Sequence, residues 1–99
     1  MSNISFFVVS VDSGLSIGTY LGCINLNNGL VNGCMYITDM VYERGIDTIK
    51  EFHYSNINEF IYTVEKLWGD DVSLSYDESE INSTFSFIED ILNSYRIFI

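Results

Sequence analysis

The segment ISFFVVSV (residues 4–11) decides how the rest of the chain is arranged. β-Branched and aromatic residues dominate it, and the turn-forming residues DSG follow it directly. It is too short to cross a membrane, and neither a positively charged segment nor a small-residue cleavage site accompanies it. We therefore interpret it as the central strand of a β-sheet and not as a signal peptide.

Asn28-Gly29 marks a turn in the middle of the next apolar segment, residues 18–42. A type I′ turn needs φ > 0 at both central residues, and Asn-Gly accommodates this, so the dipeptide predicts a hairpin with a two-residue loop. The register that follows pairs Asn27 with Leu30, Leu26 with Val31, Ile24 with Gly33 and Cys23 with Cys34. Both cysteines then share one face of the sheet with Leu21 and Tyr36.

Residues 55–69 (SNINEFIYTVEKLWG) show the pattern of an amphipathic helix. Their apolar side chains fall on one stripe, which consists of Ile57, Phe60, Ile61, Val64, Leu67 and Trp68. Asn56 and Glu59 have the spacing of a capping box at its start. Gly69 suits the position that follows the last helical turn.

The remaining segments complete the fold. Residues 46–54 predict a fourth strand, and residues 71–76 (DVSLSY) alternate as a short, half-buried strand does. A second helix follows, with apolar residues at Ile81, Phe85, Ile88, Leu92 and Tyr95, and with Asp77 and Glu80, or Ser79 alone, as its cap. The order β-β-β-(β)-α-β-α predicts an α+β fold of two layers, an antiparallel sheet of about three to five strands packed by two amphipathic helices. Without linkers or repeats, residues 1–99 are expected to form a single compact domain.

The charge balance limits the kinds of partner. Fourteen acidic residues against four basic ones give a formal net charge of −10. Charged residues amount to 18%, so the acidity reflects missing Lys and Arg more than extra carboxylates. Such a field repels nucleic acid and anionic membranes and attracts basic proteins. We expect a basic protein as the partner, with no direct binding to nucleic acid or membrane.

The stretch LWGDDVSLSYDESE (residues 67–80) contains five carboxylates and no Lys or Arg. Its last three acids precede a predicted helix, whose N-terminus favours negative charge, but its first two do not. Two aromatic residues accompany the acids, and aromatic side chains anchor many protein interfaces. The predicted partner-binding residues are therefore Trp68, Asp70, Asp71, Tyr76, Asp77, Glu78 and Glu80.

Catalytic and metal-binding motifs are not found in the sequence. The chain has one histidine, His53, and VDSGLSIG lacks the G-x-S-x-G spacing, so we expect no enzyme. The acidic stretch does not match a calcium loop, and no cofactor or metal is predicted. Cys23 and Cys34 are within disulfide reach in the predicted register, which leaves a redox switch as an alternative. Without an export signal we expect a reducing, cytoplasmic compartment, in which two packed thiols are favoured.

These observations predict a small acidic bacterial immunity or antitoxin protein. Such a protein binds a basic toxin and occludes its active site or docks electrostatically beside it, and a nuclease is the expected kind of toxin because its cleft must hold phosphates. Two alternatives remain. One is a phage-encoded inhibitor of a host defence nuclease, in the manner of anti-CRISPR or anti-restriction proteins, with DNA mimicry as one route. The other is a small calcium-binding or structural interaction domain.

Overall fold

A computed structural model of the protein describes residues 3–14, 16–39, 46–69 and 71–97. In chain order its elements are β1 (Ile4–Asp12), β2 (Ser16–Asn25), β3 (Val31–Asp39), β4 (Ile46–Tyr54), α1 (Ile57–Trp68), β5 (Val72–Ser75) and α2 (Glu78–Ile97). The strands form one antiparallel sheet in the order β4-β3-β2-β1-β5. The predicted α+β class, the antiparallel sheet and the element order, including the fourth strand, are confirmed.

The β2–β3 hairpin closes through a wider loop than the predicted Asn28-Gly29 turn. The backbone N–H of Asn25 donates to the carbonyl of Leu30 at 2.8 Å, which leaves residues 26–29 as the loop. The side chains of Asn25 and Asn28 each accept a hydrogen bond from the backbone N–H two residues further on. These local bonds stabilise the four-residue loop in preference to the shorter turn.

The wider loop shifts the pairing of β2 with β3 by two residues. The observed opposite pairs include Ile24 with Val31, Cys23 with Asn32, and Leu21 with Cys34. The predicted pairing of Cys23 with Cys34 is therefore wrong. The two cysteines still lie on the same face, as diagonal neighbours on adjacent strands, and both are free thiols.

Phe60 of α1 is the centre of the core on one face of the sheet. Its buried ring is stacked on Phe52 at 4.8 Å between centroids and lies 5.4 Å from the ring of Phe7. Gly22 and Gly33 lie opposite each other on the strands between those two phenylalanines. A Cβ at Gly33 would be 2.6 Å from the Phe52 ring, and one at Gly22 would overlap the Phe7 ring. The glycine pair thus provides the space that the rings fill.

The two helices cover opposite faces of the sheet, so the fold has three layers and not the predicted two. Along β1, Phe7 and Val9 pack in the α1 core, whereas Val8 between them packs with Ile81 and Ile88 of α2. Side chains alternate along a strand, so three consecutive buried residues require cover on both faces. The segment ISFFVVSV forms an interior strand, paired on both sides, and a helix covers each of its faces.

The predicted ends of α1 are confirmed. The Asn56 side chain accepts a hydrogen bond from the Glu59 backbone N–H at 2.8 Å, as an N-cap does. Gly69 follows the helix with φ of 80°, and its N–H donates to the carbonyl of Glu65 at 2.7 Å. Both ends of α1 are therefore fixed by the residues that the sequence indicates.

Candidate functional site

The acidic stretch flanks β5, an edge strand that pairs with β1 alone in the described sheet. Asp71 precedes the strand and Asp77 follows two residues after its end, so a strand of four residues, roughly 13 Å long, lies between them. Glu78 and Glu80 lie beyond Asp77 in the first turn of α2. The predicted acids therefore form two groups, one at each end of the strand. Asp70 lies outside the described residues.

Asp12 joins Asp71 at one end of β5. Its backbone N–H donates to the carbonyl of Asp71 at 3.2 Å, and both residues are exposed. Together with Ile17 and Ser73 they line a depression of about 550 Å³. Within the described ranges, no group of three or more His, Cys, Asp or Glu side chains is placed to hold a metal ion. This end of the strand thus contributes negative charge to the surface.

Asp77 caps α2 at the other end of β5. Its Oδ1 accepts hydrogen bonds from the Ser79 hydroxyl at 2.6 Å and from the backbone N–H groups of Ser79 and Glu80 at 2.9 and 3.2 Å. These bonds, the one from the Ser79 hydroxyl foremost, hold the pKa of Asp77 below its usual range. Glu78 and Glu80 are exposed and, in the part of the chain that the structure describes, have no cationic partner. Asp77 therefore stabilises the helix, whereas Glu78 and Glu80 add carboxylates that no described cation pairs with.

Trp68 and Tyr76 lie in different environments, although the sequence predicts both as interface anchors. The Trp68 Nε1–H donates to the hydroxyl of Tyr20 at 3.0 Å, and the indole packs against the α1 core beside Gly18. Tyr76 is 53% exposed in the loop between β5 and α2. Of the two, Tyr76 is the side chain that a partner can reach.

Tyr76 lies next to an exposed pair of aromatic residues, Phe6 of β1 and Phe85 of α2. Their rings meet edge to face at 5.5 Å between centroids, and they are 42% and 44% exposed. We refer to this pair as the Phe6–Phe85 ridge. On one side of the ridge, Tyr76 and Glu78 line a depression of about 400 Å³. The structure thus joins an exposed aromatic pair to two of the predicted partner-binding residues.

On its other side the Phe6–Phe85 ridge borders a groove of about 360 Å³, which we refer to as the cysteine groove. Besides the ridge, the residues that line it include Leu21, Cys23, Asn32, Cys34, Glu51 and His53. Cys34 lies opposite Glu51, and Asn32 lies opposite His53, on the adjacent strands β3 and β4. Because β4 is the far edge strand, Glu51 and His53 form the outer rim of the groove.

The cysteine groove does not present an activated nucleophile. Burial first, and then the negative charge of Glu51, raise the pKa of the Cys34 thiol, which keeps it protonated near neutral pH. The Nδ1 atom of His53 lies 2.5 Å from Oδ1 of Asn32, so the imidazole is engaged with an amide. Within the described residues no hydrogen bond joins His53 to either thiol. The side chains that line the groove can therefore contact a bound group, but they do not include an activated nucleophile.

Comparison with known proteins finds no match: no family model fits the chain, and no curated protein or solved structure is significantly similar to it. Among the described residues, neither helix combines the length and the apolar character needed to cross a membrane. A functional inference must therefore rest on the surface itself.

The sequence prediction omits the Phe6–Phe85 ridge and the cysteine groove. Phe6 belongs to the segment interpreted as a central strand, and Phe85 to the apolar stripe of the second helix, so both are expected to be buried. The adjacency of Phe6 and Phe7 is the available signal, because alternation places the two rings on opposite faces. The groove draws on residues of four strands and of α2, and its composition follows only from the observed register.

Proposed function

We propose that this protein binds a basic protein and neutralises it, in the way that immunity and antitoxin proteins act on a toxin nuclease. The observation that carries the proposal is the exposed Phe6–Phe85 ridge, which lies beside exposed carboxylates without a described cationic partner. Exposed aromatic side chains of this kind supply much of the binding energy of protein interfaces. Carboxylates around them select a positive partner and accelerate its capture.

The distribution of basic residues supports a positive partner. The structure describes the side chains of two lysines, and neither lies on the ridge side of the sheet. Lys66 is in α1, where its Nζ lies 5.3 Å from the centroid of the Tyr62 ring. Lys50 lies opposite Met35, which packs in the α1 core. The ridge side thus presents carboxylates that these lysines do not neutralise.

A nuclease fits this surface because its own cleft is positive. It holds phosphates with Lys and Arg, and carboxylates can occupy the same positions. The predicted acids lie at the two ends of β5, so they can contact two separate positive areas of one cleft. We further propose that the protein acts in the cytoplasm, where such a toxin must be blocked.

A growth assay tests the proposed function directly. Bacterial cells express the C-terminal part of the protein encoded immediately upstream, either alone or together with this chain. We expect the fragment to stop growth alone and to be harmless when the chain is present. A fragment that is harmless alone, or equally toxic in both cases, contradicts the proposal for that neighbour. Host defence nucleases would then be tested next, in line with a phage-encoded inhibitor.

A matched pair of triple variants links the effect to the surface. One variant is Tyr76→Ala/Glu78→Gln/Glu80→Gln, and its control is Tyr62→Ala/Glu59→Gln/Glu65→Gln on α1, at the opposite face of the sheet. Both remove one exposed tyrosine ring and two charges, and the glutamine introduced at position 59 can still accept the hydrogen bond from Ser55. We expect the first to weaken binding to the toxin fragment by at least about tenfold and the control by less than about twofold. Equal losses would show that total charge alone accounts for binding.

A further inference from the structure

We propose that the cysteine groove receives a single arginine or lysine side chain of the basic partner. Its apolar stem would lie along the Phe6–Phe85 ridge, and its charged head would pair with Glu51 at the rim. The inference rests on the proposed function and names the chemistry of one contact at that surface.

The walls of the cysteine groove suit the apolar stem of such a side chain. Phe6, Phe85 and Leu21 form its inner side. Lys and Arg pack their methylene stems along apolar surface while the charged head stays accessible to water. Aromatic faces attract the cation as well, and guanidinium groups stack on them readily. The volume of about 360 Å³ falls within the range of small-ligand sites.

Glu51 provides the complementary charge. Its side chain is exposed at the rim and has no cationic partner within the described residues. The adjacent Lys50 points to the other face of the sheet, because side chains alternate along β4. The field of the Glu51 carboxylate reaches into the groove, where it contributes, after burial, to the raised pKa of Cys34. A cation that enters the groove therefore meets a carboxylate that no described cationic side chain neutralises.

Other uses of the two thiols fit the geometry less well. Cys23 and Cys34 are diagonal neighbours, and such residues are about 7–8 Å apart across a sheet. A disulfide needs Cβ atoms about 3.8 Å apart, so it would require the strands to move. A metal ion lacks a group of three candidate ligands among the described residues. The thiols therefore serve best as reporters of whether the groove is occupied.

The test measures alkylation of the two thiols by iodoacetamide with mass spectrometry. The probe is a peptide of four arginines, and its control is the same peptide with four citrullines, which are similar in shape and uncharged. At a concentration four times its dissociation constant, the arginine peptide should slow alkylation of Cys23 and Cys34 by about fivefold, since the rate follows the free fraction. The citrulline peptide should leave both rates unchanged.

Three variants define which contacts matter. Glu51→Gln should raise the arginine-peptide concentration needed for half protection by about tenfold, as the loss of a partly desolvated ion pair does. Glu65→Gln removes the same charge from α1 on the opposite face and should change it by less than about twofold. Phe85→Leu keeps apolar bulk but removes the ring, and should weaken protection by about threefold. Each site is exposed, so all three variants are expected to fold.

Equal losses in Glu51→Gln and Glu65→Gln would overturn the inference, because any acidic residue would then suffice. So would an arginine peptide that binds and leaves both thiols as reactive as before, or one that gives no protection at all. These outcomes leave the proposed function intact if the chain still protects cells in the growth assay. Failure of growth protection, with thiol protection intact, would instead overturn the proposed function and keep the groove as a cation site.

Discussion

Aromatic rings lie on both faces of the sheet, yet one face is closed and the other is open. On the α1 face, Phe7 and Phe60 are fully buried, and Phe60 contacts four other aromatic rings. On the α2 face, Phe6, Phe85 and Phe87 keep between 42% and 45% of their surface exposed. The comparison shows that one helix completes the core while the other leaves aromatic surface exposed.

The sequences of the helices explain this difference. The apolar stripe of α1 places Phe60 and Val64 deep in the core, and of its predicted members Leu67 is the exception, with 70% of its surface exposed. α2 buries Ile81 and Ile88 against the sheet, and its Phe85 and Phe87 rings contact Phe6 and Tyr36 while staying partly exposed. Hydroxyl-bearing side chains also lie between the two isoleucines. Some of these, including Thr84, line a polar cleft of about 310 Å³ between the helix and the sheet. The helix on the open face therefore leaves part of its aromatic surface exposed.

The largest expected effect comes from truncating one ring on each face. Phe60→Ala should lower the free energy of unfolding by about 3–5 kcal/mol, because it removes a fully buried ring and leaves a cavity. Phe85→Ala should lower it by less than about 1.5 kcal/mol, since that ring is already 44% exposed. Urea denaturation followed by circular dichroism measures both. Similar losses would mean that the α2 face is as firmly packed as the α1 face.

Substitutions that enlarge a side chain should also affect the stability of the two faces differently. Gly33→Ala places a Cβ against the Phe52 ring and the carbonyl of Leu21 on the closed face, and should cost about 1–3 kcal/mol of unfolding free energy. Cys34→Val, one residue further on, adds atoms toward the groove and should change stability by less than about 0.5 kcal/mol. Midpoints of urea denaturation give the two values. A costly Cys34→Val would show that the groove has no spare room.

A smaller effect is expected from the hydrogen bond between Trp68 and Tyr20 on the closed face. Tyr20→Phe removes the acceptor of the Trp68 indole N–H and should cost about 1 kcal/mol of unfolding free energy. For Tyr36 on the open face no side-chain hydrogen bond is described, so Tyr36→Phe should cost less than about 0.5 kcal/mol. Thermal melts of the two variants beside the wild type measure the difference.

The same tyrosine makes stability depend on alkaline pH. Burial raises the pKa of Tyr20 above its ordinary value of about 10, although the Trp68 hydrogen bond opposes the shift. The folded state therefore favours the neutral phenol. Stability is lost as the pH rises above the pKa of Tyr20 in the unfolded chain and through its higher pKa in the folded protein. Melts between neutral and strongly alkaline pH should show a steeper loss for the wild type than for Tyr20→Phe. Parallel losses would show that Tyr20 ionises freely.

The smallest effect concerns the start of α2. Asp77→Ala should lower the melting temperature by removing the N-cap, whereas Asp77→Asn should preserve most of it, because Asn caps helices about as well. The pKa of Asp77 is lowered by folding, so its carboxylate stabilises the protein above the unfolded pKa and loses this effect as pH falls through the folded one. The difference between wild type and Asp77→Ala should therefore shrink in acid. A difference that is independent of pH would contradict this origin.

The sequence was sufficient for those features that depend on local patterns. Asn56 and Gly69 mark the two ends of α1 as predicted, and the order of strands and helices followed from the periodicity of apolar residues. The layer count needed a tertiary argument, namely that consecutive buried residues on β1 face different helices. The hairpin register failed because Asn25 and Asn28 form side-chain bonds to the backbone that compete with the two-residue turn.

The predicted site was only partly assembled by the fold. The fold brings Tyr76 and Glu78 to the Phe6–Phe85 ridge, whereas Trp68 is partly buried against the α1 core, where its indole packs and donates a hydrogen bond to Tyr20. The acids are close in sequence, but a strand lies between the first and the last of them and separates them by its own length. Their closeness in sequence therefore did not predict one continuous site. Phe6 could not be recognised as exposed without knowing how far α2 covers β1.

The position of β5 at the edge of the sheet also bears on solubility. Its outer backbone N–H and C=O groups form a row that another copy of the chain can extend by strand pairing. Carboxylates at both ends of this short strand repel an identical edge at neutral pH. Acid or high salt removes that repulsion, so self-association detected by sedimentation should increase under both conditions, and constant sedimentation would contradict this protection.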